Sequence, residues 1–264
     1  MIVVARQPDA LLVRQVDHQL QCADFALAWG NDLFARLPGH RHATIAARWH
    51  DEGWREWEQC PRIDSTGAPM DFPDLDRTEH VRLYRAGIDL AERIDPRAGL
   101  LVSMHGAGLY QNRRGLDRVV PPSGRRPAAV ESFLANEDVR QARLVARLGA
   151  GPELERWGWA AYRLLQAWDL LSLALLWGRL AERERVVLRR VPRDLGDGEG
   201  CDIGVRRIGR RCAVVDPWPF SAAHLETVVP ARRVAPGPHD SHAALTAAFR
   251  EAPEEPLRIV LRPA

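Results

Sequence analysis

A long apolar segment with one aspartate near its centre restricts the fold most. The segment from Glu153 to Ala181 contains YRLLQAWDLLSLALLWGRL and predicts one long helix. Its longest apolar run, LLSLALLWG, is far too short to span a bilayer, so we expect the helix to be buried in a folded domain. Asp169 has Leu165 and Leu173 as helical neighbours, and a bare carboxylate is strongly unfavourable there. Asp169 must therefore be protonated, paired with an arginine or bound to a cation.

Helical patterns dominate the first two thirds of the chain, and strand patterns dominate the last third. MIVVA and ALLVRQV predict two short strands around the turn RQPD, and helices follow from about Asp17. One of them, HATIAARWHDEGWREWE, ends before Pro61 and places His50 on an apolar face with Ala46 and Trp57. From RVVLRRV onwards, short β-type runs alternate with glycine and proline.

This layout predicts a mainly α fold, a helical bundle with a small β-rich appendage formed by the two ends of the chain. We expect residues 1–182 to hold the N-terminal strands and the helical, metal-binding core. Residues 183–264 would form the small β-rich part packed on that core, pairing with the N-terminal strands.

Composition excludes several classes of function. The 264 residues carry a formal net charge of +2, which predicts no strong attraction to nucleic acid or to a membrane. All basic residues are arginine, so no lysine can form a Schiff base or clamp a phosphate. The cysteines form no C-x-x-C pair, and the N-terminal residues do not resemble a signal peptide. We expect a cytoplasmic protein.

Six side chains with metal-binding groups lie on predicted helices, each on a separate helix except for one adjacent pair. They are His18, His50, Asp51, His80, His105 and Asp169. Any one of these histidines alone is better explained as a core or surface residue. As an ordered set, imidazoles and carboxylates form the ligand types of iron, manganese and zinc. Six ligands exceed the need of one tetrahedral ion and suit two ions with a bridging carboxylate.

The order His…His-Asp…His…His…Asp resembles the signature of the HD-domain superfamily of metal enzymes. The resemblance implies an HD-domain-like helical bundle, in which His18, His50, Asp51 and Asp169 are general ligands and Asp51 bridges the metals. His80 and His105 resemble the extra pair of dinuclear members, the HD phosphohydrolases and the diiron oxygenases of the myo-inositol oxygenase type. VDHQLQCADFALAWG, HDEGW, SMHG, QAWDLLSL and DPWPF also resemble, nearly end to end, a bacterial family defined by a domain of unknown function.

Two chemistries suit this resemblance. The leading hypothesis is a non-haem diiron oxygenase that uses dioxygen on a small organic substrate, because the ligand set is full and tryptophans lie beside it. Manganese, zinc or nickel are alternatives to iron. The alternative is a metal-dependent phosphohydrolase, in which two ions activate water and an arginine completes the anion site. Candidates for that arginine are Arg48, Arg55, Arg82, Arg113 and Arg114.

Many relatives carry a basic residue after the His-Asp doublet, whereas this chain has Glu52-Gly53-Trp54. We expect Asp51, Glu52 and Arg55 to serve as catalytic residues beside the metals. A binding module with a vestigial metal site is less favoured, since all six ligand positions are occupied. The basic stretch RRIGRR is better explained as a hairpin turn than as a nucleic-acid patch, because the net charge is near neutral.

Overall fold

A computed structural model describes residues 1–111, 126–181, 183–209 and 211–264. Its α-helices are α1 (Gln15–Ala28), α2 (His40–Trp49), α3 (Arg77–Ile94), α4 (Pro96–Tyr110), α5 (Ala128–Leu148), α6 (Pro152–Leu176), α7 (Gly178–Ala181) and α8 (His242–Glu251). Its strands are β1 (Ile2–Ala5), β2 (Ala10–Val13), β3 (Val186–Val191), β4 (Cys201–Gly209), β5 (Cys212–Asp216), β6 (Leu225–Val234) and β7 (Glu254–Pro263). Short 3-10 turns cover Glu52–Trp54, Trp57–Gln59 and Phe72–Asp74.

All of these strands join one seven-stranded sheet in the order β1-β2-β6-β7-β5-β4-β3. Neighbouring strands are antiparallel, except for β5 and β7, which are parallel. The predicted pairing between the two ends of the chain is confirmed, since Leu12 of β2 pairs with Arg232 of β6.

The predicted fold class is wrong. The sheet is a substantial mixed layer rather than a small appendage on a mainly α, HD-like bundle. The β-type runs are short and lie at both ends of the chain. Their patterns identify strands but not how many neighbours each strand will have.

One hydrophobic core joins the helices to the sheet. Trp168 and Leu171 of α6 belong to the same buried cluster as Val205 and Val215 of the sheet. Helix α6 packs against α1, α2, α4 and β3, so it lies between the two layers. None of the helices in the described ranges has both the length and the hydropathy that a membrane span requires.

The helix-start signals give correct boundaries for α3 and α4. Asp76 accepts hydrogen bonds from the backbone N–H groups of Thr78 and Glu79 at the start of α3. Asp95 caps α4 in the same way, and Pro96 takes the first helical position. These caps fix the helices that carry His80 and His105.

The predicted helix through the His-Asp doublet is wrong beyond residue 49. Helix α2 ends at Trp49, His50 is its C-terminal cap, and 3-10 turns follow. His50, Gly53 and Trp57 therefore do not share an α-helical face. Because the helix ends here, the doublet turns towards α1 and α6. A continuous helix would have carried the chain past both of them.

Candidate metal centre

Four elements bring the predicted ligands to one buried place. His18 comes from α1, the His50-Asp51 doublet from the end of α2, His105 from α4 and Asp169 from α6. The side chains of His18, His50, Asp51 and His105 are each at most 3% exposed, and that of Asp169 is 16% exposed. The sequence-based expectation that Asp169 would meet the histidines agrees with this placement.

Donor atoms of four residues lie within reach of a single ion. His18 Nε2 is 2.9 Å from Asp169 Oδ1 and 3.9 Å from Asp51 Oδ2. His50 Nε2 is 3.5 Å from Asp51 Oδ2 and 3.7 Å from Asp169 Oδ1. With bonds of about 2.0–2.2 Å to nitrogen and oxygen, two ligands of one ion lie at most about 4.4 Å apart. These distances therefore fit a shared cation.

Hydrogen bonds determine which nitrogen of His18 faces the carboxylates. Ser172 Oγ donates to Gln21 Oε1 at 2.6 Å, and Gln21 Nε2 donates to Thr227 Oγ1 at 2.8 Å. A serine has one hydroxyl proton, so His18 Nδ1, 2.6 Å from Ser172 Oγ, must be the donor in that contact. In the neutral imidazole, Nε2 then presents its lone pair to Asp169 Oδ1. Two acceptors this close repel each other unless a proton or a cation lies between them.

A hydrogen bond also fixes the orientation of the His50 ring, as it does for His18. Its Nδ1 donates to the carbonyl oxygen of Ala47 at 2.8 Å, which directs Nε2 towards Asp51 and Asp169. Nε2 itself is buried and has no hydrogen-bond partner within the described ranges. A histidine whose outer nitrogen bonds a backbone carbonyl while its inner nitrogen faces carboxylates has the usual arrangement of a metal ligand.

The pKa values show how strongly these groups are coupled. Burial lowers the pKa of His50, but the charges of Asp51 and Asp169 outweigh burial and raise it to about 9. Burial tends to raise the pKa of Asp169, yet the nearby histidines hold it well below its ordinary value. For Asp51, burial prevails and the pKa is raised. In the metal-free protein these carboxylates therefore hold a proton on His50.

His105 and His80 lie on the far side of Asp169. His105 Nε2 is 3.8 Å from Asp169 Oδ2, whereas Asp169 Oδ1 faces His18. His80 lies on the wall of the same cavity, bonds the hydroxyl of Tyr110 through Nδ1 and packs against the ring of Trp54. The two oxygens of Asp169 thus face different histidines, Oδ1 facing His18 and His50 and Oδ2 facing His105. The bridging role predicted for Asp51 stays a prediction.

The structure places the predicted catalytic residues Glu52 and Arg55 in an ion pair with each other. Glu52 also accepts a hydrogen bond from Gln19 Nε2 at 2.6 Å, and Gln19 Oε1 accepts one from the Asp51 backbone N–H at 2.9 Å. Neither Glu52 nor Arg55 is among the described residues that line the cavity. Their contacts fasten the doublet to α1.

Helix α3 crosses the chain beside the doublet at Gly53. A Cβ atom at Gly53 would overlap the carbonyl oxygen of Leu83 and lie 2.8 Å from the backbone nitrogen of Gly87. Helix α3 therefore crosses the doublet at backbone contact, which only glycine permits. Because α3 also carries His80 and Tyr84, this crossing brings both side chains to the cavity.

The cavity beside these residues, together with the open solvent at its mouth, spans about 620 Å³. It is lined by Gln15, His18, Asp51, Phe72, His80, Tyr84, His105, Leu109, Gln166, Asp169, Leu170, Leu173 and Trp177. Sequence reasoning missed Gln15 and Tyr84, although Gln15 precedes His18 by one helical turn and Tyr84 follows His80 by one. No sequence pattern indicates that Phe72 or Trp177 lines this cavity.

The Sγ of Cys22 lies within 4.8 Å of candidate ligand atoms of His18, His50 and Asp169, but it packs against the ring of His18. Its Sγ is 3.8 Å from Nε2 and 3.9 Å from Nδ1 of His18, so the sulfur lies against the ring rather than along the Nε2 lone pair. The thiol points to the carbonyl oxygen of Trp168 at 3.6 Å. Burial raises the thiol pKa well above its ordinary value. Cys22 therefore packs on a ligand ring as a neutral thiol.

Comparison with known proteins gives one match. A family model described as "Protein of unknown function (DUF3891)" matches residues 1–236. No curated protein and no solved structure matches the chain. The matched range includes every candidate ligand and ends before α8 and β7. It agrees with the near end-to-end resemblance to a family of unknown function, and it assigns no reaction.

Proposed function

We propose that this chain, which belongs to the DUF3891 family of unknown function, is a metal-dependent enzyme with the ligand order of the HD-domain type. The contact between His18 and Asp169 supports this proposal most directly. Ser172 holds the Nδ1 proton of His18, so a bare Nε2 faces Asp169 Oδ1 at 2.9 Å. A cation satisfies both atoms at once.

Two ions fit the six ligands in this proposal. His18, His50, Asp51 and Asp169 hold the first ion through the atoms described above. His105 and His80 hold the second, and Asp169 reaches it through Oδ2, which lies 3.8 Å from His105 Nε2. His80 has an outer hydrogen-bond partner in Tyr110, as ligating histidines commonly do. Iron is the proposed metal, with manganese, zinc and nickel as alternatives.

The proposed reaction is oxygenation of a small organic substrate. Iron, when bound, supplies the electrons that reduce dioxygen. The protein's own part is to hold the ligating nitrogens in one tautomer, through Ser172 for His18 and Ala47 for His50. The apolar wall of the cavity, which includes Leu173 and Trp177, excludes water and holds the apolar part of the substrate.

A phosphohydrolase has less support. No arginine lines the cavity among the residues that the structure describes. Of the anion-site candidates, Arg55 pairs with Glu52 and Arg82 with Glu79. Arg113 and Arg114 lie outside the described residues.

The test is the metal content of protein purified without oxygen, together with electron paramagnetic resonance. We expect about two iron ions per chain and a mixed-valence signal that changes on exposure to dioxygen. His18→Gln should lose metal, and His224→Gln, which changes an exposed histidine, should not. Iron-free, manganese-loaded protein that cleaves generic phosphodiesters would contradict the oxygenase. Protein that binds no metal would overturn the whole proposal.

A further inference from the structure

Gln15 lines the cavity and has a buried side-chain oxygen beside it. It is the first residue of α1, one turn before His18 and on the same face. Only 2% of Gln15 is exposed, and its backbone N–H donates to Glu58 Oε1 at 2.7 Å. Its side-chain Oε1 has no hydrogen-bond partner within the described ranges. Buried polar atoms are nearly always paired, so an unpaired acceptor in a cavity indicates a missing donor.

Part of the cavity wall is apolar. Phe72, Leu170, Leu173 and Trp177 contribute to it. Trp177 Nε1 donates to Asp71 Oδ2 at 2.8 Å, and the Trp177 ring packs on Phe72 with 5.0 Å between ring centroids. The indole is thus fixed with its proton turned to Asp71. It offers the cavity a hydrophobic surface.

Among the described residues that line the cavity there is no arginine to pair with a charged substrate group. Arg179, behind this wall, lies 5.8 Å from the centroid of the Trp177 ring. Its guanidinium is already paired with Asp71, at 3.1 Å, and with Asp74. A phosphate or carboxylate placed against the apolar wall would therefore lose its hydration without gaining a partner.

We infer that Gln15 is a substrate-binding, specificity-determining residue, and that the cavity takes an uncharged small molecule with an apolar segment and a hydroxyl group. The hydroxyl donates to Gln15 Oε1 while the apolar segment packs on Leu173 and Trp177. This inference rests on the proposed function, because it places the molecule beside the metal ligands.

The test measures binding of three probes to the metal-loaded protein by isothermal titration calorimetry. Hexane-1,2-diol has both an apolar segment and hydroxyl groups, glycerol lacks the apolar segment, and glycerol 1-phosphate adds a charge. We expect hexane-1,2-diol to bind at least about tenfold more tightly than either of the others. Equal or tighter binding of glycerol 1-phosphate would overturn the inference.

Variants at Gln15 separate a role in binding from a role in folding. Gln15→Met keeps the length of the side chain and removes the acceptor, so it should weaken hexane-1,2-diol binding by about tenfold. Gln59→Met changes an exposed glutamine and is the matched control. Gln15→Glu retains an acceptor and should bind the diol more tightly than Gln15→Met. Unchanged binding in Gln15→Met would contradict the assigned role.

Metal analysis of the same samples distinguishes this inference from the proposed function. Gln15→Met should keep the metal content of the unsubstituted protein, since Gln15 is not a ligand. If the unsubstituted protein holds no metal, the proposed function fails. If it holds metal but does not discriminate among the three probes, only the inference about the substrate fails.

Discussion

His18 Nε2 lies 2.9 Å from Asp169 Oδ1, and the hydrogen bond from His18 Nδ1 to Ser172 makes both of these atoms acceptors in the neutral state. A contact of this kind persists only with a positive charge between its two atoms. Either a proton or the cation of the proposed metal site can supply that charge. In the proposed site, the contact therefore couples metal binding to protonation.

Ser172→Ala should weaken metal binding without removing a ligand. The variant leaves His18 Nδ1 without its acceptor, so the ring is no longer held in the ligating tautomer. Loss of such an outer partner typically costs about 10–100-fold in metal affinity. Competition with a chelator of known affinity measures the change. Ser103→Ala removes another buried serine hydroxyl, which accepts from Gln141, and should leave the affinity unchanged. Equal weakening in both variants would argue against the tautomer mechanism.

Asp169→Asn should abolish binding of at least one metal ion. The amide keeps the size of the carboxylate, so the core should stay packed while the charge that both ligand sets share is lost. Metal content of the purified variant is the measurement. Asp138→Asn, an exposed position on α5, serves as the control. A full metal load in Asp169→Asn would show that the ligand assignment at this position is wrong.

The metal-free protein should lose stability as the pH rises from about 6.5 to about 9. The pKa of His50 is raised to about 9 in the fold, from about 6.5 in an unfolded chain. A raised pKa means that protonation stabilises the fold, so this contribution is complete below about pH 6.5 and is lost as the pH passes about 9. Urea unfolding of chelator-treated protein measures the free energy of unfolding at each pH. The difference in this free energy between the unsubstituted protein and His50→Asn should shrink as the pH rises over this range.

His224→Asn is the control for that experiment, since His224 is exposed. Its stability difference from the unsubstituted protein should stay constant over the same pH range. A constant difference for His50→Asn as well would mean that His50 does not gain a proton from its neighbouring carboxylates.

Gly53→Ala should destabilise the protein by about 3 kcal/mol or more, because the added Cβ overlaps the backbone of α3 at Leu83. Gly158→Ala is a matched helical control, since a Cβ there meets nothing within 4 Å. In α6 that substitution should stabilise the protein by about 1 kcal/mol. Thermal unfolding of both variants measures the difference. A harmless Gly53→Ala would mean that α3 does not cross the doublet at backbone contact.

Much of the candidate site follows from local sequence. The helices that carry His18, His80, His105 and Asp169 follow from apolar periodicity and from capping residues such as Asp76 and Asp95. A lone aspartate in an apolar helix demands a partner whatever the fold, because burying a bare charge is so unfavourable. The ordered set of ligands was therefore recognisable from the sequence before any of their distances were known.

The tertiary structure alone decided the fold class and the shape of the site. Strand patterns indicated that the two ends of the chain pair, but they do not encode that all seven strands join one sheet. The end of α2 before the doublet depends on the close crossing of α3 at Gly53, a contact between residues far apart in sequence. Contacts between residues far apart in sequence likewise determine the hydrogen bond from His18 to Ser172 and the position of Trp177 on the cavity wall. Local propensity is a property of neighbouring residues, whereas these features depend on which distant surfaces bury each other best.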